Sequence, residues 1–182
     1  MSIFYDDACD AAIANYTADC CPDKEGARIR HCWFQKNTYE FVDPTSSAEW
    51  NTAIENGDVV IIPNVRGSFD GGTPTVSEGF GDTPEEFESF EGVATFTDPN
   101  YLANIVNYNA LMKSKNYRFG FCTETFGFLS ATAASYKPKM PVQSDIKQSV
   151  YGEIEVKILQ SDLLDKFVYP QDIFTCFQVI AV

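Results

Sequence analysis

Histidine is nearly absent: the 182 residues hold one, His31. A Ser-His-Asp or Cys-His relay would have to run through it. It lies between Arg30 and Cys32 in a strand-like run, beside no nucleophile motif. There is no G-x-S-x-G turn and no G-x-x-x-x-G-K-[ST] phosphate loop. Basic residues are scarce too, with 13 Lys+Arg against 26 Asp+Glu and a net charge of −13. Gripping nucleic acid needs clustered Lys and Arg, and so does docking on an anionic membrane. Neither is expected. No apolar run approaches the roughly 18–20 residues of a membrane-spanning helix. The opening MSIFYDDACDAAI carries acids where an export signal needs bases. The expected setting is a cytosol-like compartment. No catalytic residue, cofactor or metal is expected.

The cysteines give no framework. There are six: Cys9, Cys20, Cys21, Cys32, Cys122 and Cys176. Disulfide scaffolds belong to short exported chains, so reduced buried thiols are the expectation. Cys20-Cys21 with His31-Cys32 lacks the C-x2-4-C spacing of common zinc sites. Asp70 beside Gly71-Gly72 invites calcium, but the D-x-D-x-D-G loop is missing. Acid pairs such as Asp6-Asp7 and Glu85-Glu86 could serve a glycosidase. Among 26 acids such pairs arise by chance, and a solvated surface explains them better.

What the chain has in quantity is aromatics, 15 Phe and 9 Tyr. Phe87, Phe90, Phe96, Phe119, Phe121, Phe126 and Phe128 stand in strand-like runs and are expected in the core. Trp33 and Trp50 lie in apolar segments and are expected there too, rather than as sugar-stacking platforms. Phe4, Tyr5, Phe69 and Phe80 fall in an N-terminal arm and a Gly-rich stretch. They are harder to bury within one domain, and exposed apolar groups usually mean a covering partner.

The pattern predicts an arm over 1–27 and one β-rich domain over 28–182. A strand is expected at 28–34, with 39–42 as its hairpin partner. A short helix capped by Ser46 or Ser47 follows, with Trp50 and Ile54 on one face, stopped at Gly57. Asp58–Ile62 reads as a buried strand ended by Pro63. RGSFDGGTPTVSEGFGDTP, residues 66–84, reads as a long loop or hairpin that orders against a neighbouring subunit. Residues 86–97 read as one long strand. Asp98-Pro99 then opens a helix to about Lys113, with Tyr101, Ile105, Tyr108 and Met112 on one stripe and Leu102, Val106 and Leu111 widening it. Strands follow at 117–122, at 127–132 paired with 135–140, at 150–159 and at 173–180. In the 150–159 strand Gly152, Ile154, Val156 and Ile158 alternate with Glu153, Glu155 and Lys157. The expected fold class is mainly β with one flanking helix (α+β), an antiparallel β-sandwich or half-barrel.

SEGFGDTPEEF, ESFEGVATFTD, PNYLANIVNYNALMKS, YRFGFCTET, SYKPKMPVQSD and VYGEIEVKILQ together resemble virion structural proteins of tailed bacteriophages. The tail-tube type is the most similar, with relatives in head and neck, over about residues 58–160. The resemblance implies a self-assembling subunit located in the virion, a homo-oligomeric ring that is hexameric if a tail tube, with other virion proteins as neighbours. It carries no catalytic motif. An acidic bore would repel DNA over about 8 Å and let it pass without specific binding. Glu88, Glu91, Glu153 and Glu155 are the acids expected toward that bore. Phe4, Tyr5, Phe69 and Phe80 are the expected subunit contacts. A head auxiliary, decoration or head-tail connector protein is the nearest alternative. A carbohydrate-binding β-sandwich module is the alternative of another class.

Overall fold

The computed structural model describes residues 28–78, 86–142 and 150–174. In chain order these hold β1 (His31–Lys36), α1 (Ser47–Glu55), β2 (Val59–Ile62), β3 (Arg66–Phe69), β4 (Thr73–Ser77) and β5 (Glu86–Asp98). A 3-10 turn, Tyr101–Asn104, then runs into α2 (Ile105–Lys113). β6 (Tyr117–Cys122), β7 (Phe126–Ala133), β8 (Ser135–Lys139), β9 (Gly152–Gln160), β10 (Asp165–Val168) and a second 3-10 turn, Gln171–Phe174, complete the order. One sheet runs β10-β7-β6-β1-β2 and the other β3-β5-β9-β8, with β4 also on β5. Every pairing is antiparallel. The molecule is a mainly-β antiparallel sandwich with flanking helices.

The alternation in β9 builds the main core. Ile154, Val156 and Ile158 are buried and meet Ala94 and Phe96 of β5 and Tyr136 of β8. Facing them across the sandwich are Cys32 and Phe34 of β1 and Phe119 and Phe121 of β6. Phe96 stacks on Phe119 at 5.9 Å, and Phe34 meets Tyr136 edge to face at 5.1 Å. On one flank the sheets are stitched by side chains. Gln160 Oε1 accepts the Ala131 N–H at 2.9 Å, and Thr132 donates to the Leu159 carbonyl at 2.7 Å.

A second core lies on the far side of β1 and β6. Trp33, Val59 and Cys122 meet Trp50 and Ala53 of α1 and Ile173 and Phe174 of the last 3-10 turn. Trp33 and Trp50 are fully buried, edge to face at 5.2 Å. Trp33 fits because β6 carries Gly120 opposite it: a methyl there would stand 2.0 Å from the indole. α1 ends as predicted, since Gly57 takes φ +70° just past Asn56.

Several expectations change. Residues 39–42 do not pair with β1, whose neighbours are β2 and β6. The segment is held by side chains instead. Arg118 and Gln35 both donate to the Tyr39 carbonyl, and Glu49 accepts the N–H groups of Val42 and Asp43, each at 2.7 Å. β2 is an edge strand, with Val60 partly exposed, rather than a buried one.

The excursion expected at 66–84 is regular through Ser77. β3 and β4 both lie along β5, in register at Phe69↔Ala94 and Thr73↔Glu91. Asp70 bridges the gap between them. Its Oδ1 accepts the Val93 N–H at 3.0 Å and the Gly72 N–H at 2.9 Å, so a carboxylate substitutes for a ladder carbonyl. Through Ser77 the segment pairs with its own sheet. Residues 79–85 lie outside the described residues.

β7 and β8 do not pair with each other. The chain crosses between sheets at Ala134, so β7 joins β6 and β10 while β8 joins β9. Ile173 and Phe174 are buried in a 3-10 turn rather than a strand, and the rest of the strand expected to 180 lies outside the described residues. β10 has no counterpart among the expected strands. Phe87, expected in the core, is half exposed opposite Val76.

Candidate functional site

The Asp98-Pro99 junction sets how α2 is presented. Asp98 ends β5 with its side chain buried. Its Oδ1 accepts the Asn100 N–H at 2.8 Å and its Oδ2 accepts the Tyr108 hydroxyl at 2.7 Å. Burial raises the Tyr108 pKa well above the ordinary phenol value, and the adjacent Asp98 raises it further. Tyr101 stacks on Tyr108 at 4.9 Å and lies flat over Gly152, where a methyl would stand 2.1 Å from its ring. Tyr101, Tyr108 and Leu111 thus form the inward face.

That rotation leaves an unusual outer face. Leu102 is 55% exposed, Val106 75% and Met112 51%, with Ile105 between them. No charged residue occurs from Pro99 to Met112. The outer face of a surface helix ordinarily carries charged and polar groups. Here it carries apolar side chains with Asn107 and Asn109. The stripe expected from the sequence is corrected at four positions: Leu102, Ile105, Val106 and Met112 face solvent, while Tyr101, Tyr108 and Leu111 face inward.

Beside α2 a cleft of about 230 Å³ opens toward the β2 edge. Phe34, Val60 and Ile62 give it apolar walls, and Asn100, Asn104 and Asn107 line its helical side.

The expected bore acids stand on the β5–β9 sheet. Glu153 and Glu155 alternate outward on β9, with Glu91 on the same face of β5. The face is mixed in charge. Glu91 pairs with Lys157 at 2.6 Å and Glu155 with Lys137 at 2.7 Å, and Arg66 and Lys139 stand in register with the same rows. The lysines also hold the Glu155 pKa below its ordinary value, Lys137 most strongly through its hydrogen bond. Glu88 is exposed where the β4–β5 register shifts.

Of the expected contact aromatics, Phe69 turns inward, 5.3 Å from Phe121 and over Gly92. Its ring is used inside the chain. Phe4, Tyr5 and Phe80 lie outside the described residues.

Other candidates have structural employment. His31 Nδ1 accepts the Asn64 N–H at 3.0 Å, and its ring stacks on Phe174 at 4.9 Å. Burial lowers its pKa, and Arg30 beside it adds to that. Cys32 and Cys122 are free and buried; burial pushes the Cys122 thiol up to about 12 and the Cys32 thiol well above its ordinary value. Among the described residues no three His, Cys, Asp or Glu side chains are grouped to hold a metal ion, and no helix is long and apolar enough to cross a membrane.

No protein-family model matches the sequence, and neither the curated proteins nor the solved structures give a match. The outer face of α2 is therefore read on its own chemistry. Its signal in the residues is the uncharged run 99–112. That signal is easily passed over, because an apolar stripe on a helix is ordinarily assigned to the core.

Proposed function

We propose that the chain is a structural subunit of a tailed-phage virion that assembles with copies of itself and with other virion proteins. The uncharged outer face of α2 carries this reading. Leu102 of the 3-10 turn and Ile105, Val106 and Met112 of α2 expose apolar surface on a unit whose orientation is fixed by Asp98, Tyr108 and Tyr101. Preformed apolar patches on rigid elements are what recurring subunit contacts are made of. The sequence resemblance supplies the kind of assembly, a tail tube of stacked rings. A two-sheet antiparallel sandwich suits that role, since ring closure covers faces and edges that a lone subunit leaves open.

In a tube, the outward face of β5 and β9 would have to line the bore for Glu91, Glu153 and Glu155 to repel DNA. The lysines paired with Glu91 and Glu155 weaken that field. This mixed charge favours a second reading, a head auxiliary, decoration or connector protein, in which charge serves solubility. The carbohydrate-binding alternative loses its two tryptophan platforms, because Trp33 and Trp50 are both fully buried. Negative-stain images of the purified chain separate the first two. Tubes or stacked rings support the tail tube. Small oligomers that bind only to preformed capsids support the head reading. A monomer at every concentration, inert toward both, refutes assembly.

A further inference from the structure

We propose that the cleft between β2 and α2 is a peptide groove, which takes an extended, uncharged segment of a partner protein between the open backbone edge of β2 and the carboxamides of Asn100, Asn104 and Asn107. The inference does not depend on the assembly reading.

The first wall is a strand edge without a guard. Exposed edges normally carry charge or proline, or are covered. β8 has Lys137, Pro138 and Lys139, β10 has Asp165 and Lys166, β4 has Pro74, and β3 is met by a bridge between Ile29 and Gly67. β2 is Val-Val-Ile-Ile, with β1 on one side and no strand on the other among the described residues. The direction of its backbone groups follows from the ladder. One pair beyond Gln35↔Val59, the Lys36 N–H donates to the Asp58 carbonyl at 2.9 Å. Bonded and non-bonded pairs alternate between antiparallel strands. Phe34↔Val60 and Cys32↔Ile62 are therefore bonded pairs, and the N–H and C=O groups of Val59 and Ile61 point away from β1. Ile61 packs its side chain on the second core yet borders the cleft, so its backbone is what faces the opening.

The second wall answers the first. A carboxamide carries both the donor and the acceptor of a peptide bond, and three of them line the helical side. Phe34, Leu111 and Tyr117 add apolar and aromatic surface between the walls. Among the described residues that line the cleft Asp98 alone is charged, and its oxygens are taken by the Asn100 N–H and the Tyr108 hydroxyl. A charged segment would find no counter-charge here. The volume of about 230 Å³ is below the roughly 300–1,000 Å³ of pockets that enclose a small-molecule ligand, and suits the alternate side chains of a strand. A sheet edge of a second folded copy does not fit. Every described strand is already paired, so an edge brought against β2 would carry its next strand into the place of α2. The occupant has to be free on both sides.

Nitrogen-15 NMR of the full chain, titrated to about 1 mM with the capped peptide Thr-Val-Thr-Val-Thr-Val, tests this. The Val59 and Ile61 amides should shift as they gain partners, and those of Val60 and Ile62, already bonded to β1, should move less. The fully N-methylated peptide, and capped Glu-Val-Glu-Val-Glu-Val, should bind at least about 5-fold more weakly. Ile61→Pro removes an outward N–H and spares the β1 ladder, and Asn104→Ala strips the helical wall. Each should weaken binding at least about 5-fold. If Ile61→Pro does not fold, Asn104→Ala carries the test. No shift at Val59 and Ile61, or undiminished affinity in the folded variants, overturns the proposal. Hydrogen exchange of the free chain checks the other occupants. An Ile61 amide protected at every dilution means that the chain covers its own edge, and protection that fades on dilution means that a second copy does. Either result overturns the assignment to a partner; an unprotected Ile61 amide supports it.

Discussion

Tyr108 shows how one side chain fixes a surface. Its hydroxyl is the partner that holds the buried Asp98 carboxylate against α2. Tyr108→Phe leaves that carboxylate short of a hydrogen bond in a buried place, which costs about 1.5–3 kcal/mol. Denaturant unfolding should show the loss as a lower midpoint with an unchanged slope. His31 makes a prediction of the opposite chemical kind. Its folded pKa is lowered, so the folded state prefers the neutral ring and the unfolded chain takes up the proton first. The contribution is complete above the unfolded value of about 6.5 and declines as pH falls through the lower folded value. Melting temperatures from pH 7.5 to 5.5 should drop more steeply in the wild type than in His31→Gln. Parallel profiles would show that His31 contributes nothing to the acid sensitivity. Cys32 and Cys122, buried with raised pKa values, should resist alkylation at pH 8 until the protein unfolds, as residue-resolved mass spectrometry would report.

At the scale of elements, glycines sit where aromatic rings need backbone to approach. Gly120 lies under Trp33 and Gly152 under Tyr101. Gly120→Ala should destabilise by about 1–3 kcal/mol through overpacking, with near-ultraviolet circular dichroism of the Trp33–Trp50 pair altered. Such contacts also separate what the residues reveal by themselves from what they conceal. β9 is legible because its faces differ, with Ile154, Val156 and Ile158 against Glu153, Glu155 and Lys157. α1 is legible through its Gly57 stop. β3 and β4 are not, because Asp70, Gly71 and Gly72 interrupt the period, and the Asp70 contact to Val93 joins residues far apart in sequence. The 39–42 segment mimics a hairpin strand for a similar reason. Its partners Gln35, Glu49 and Arg118 act through side chains, which no alternation pattern records. The α2 stripe differs from its expected form by a rotation. Tyr101, Tyr108 and Leu111 face inward as the period predicts, but Asp98 and Gly152 fix the turn that leaves Leu102, Ile105, Val106 and Met112 outside the core.

On the scale of the whole molecule, one imbalance stands out. A chain of net charge −13 places its acids widely, yet leaves one helix face without charge and half exposed. The two sheets and their two cores give that face a rigid support. Sedimentation velocity of the purified wild type and of Val106→Glu, over a hundredfold range of concentration, tests assembly through α2 without intermediaries. Val106 is the most exposed apolar residue of the face, so the substitution should leave the fold and its melting temperature intact. The wild type should assemble with rising concentration, and Val106→Glu should stay monomeric. Identical profiles for the two proteins, whether both assembled or both monomeric, would contradict a subunit contact through this helix.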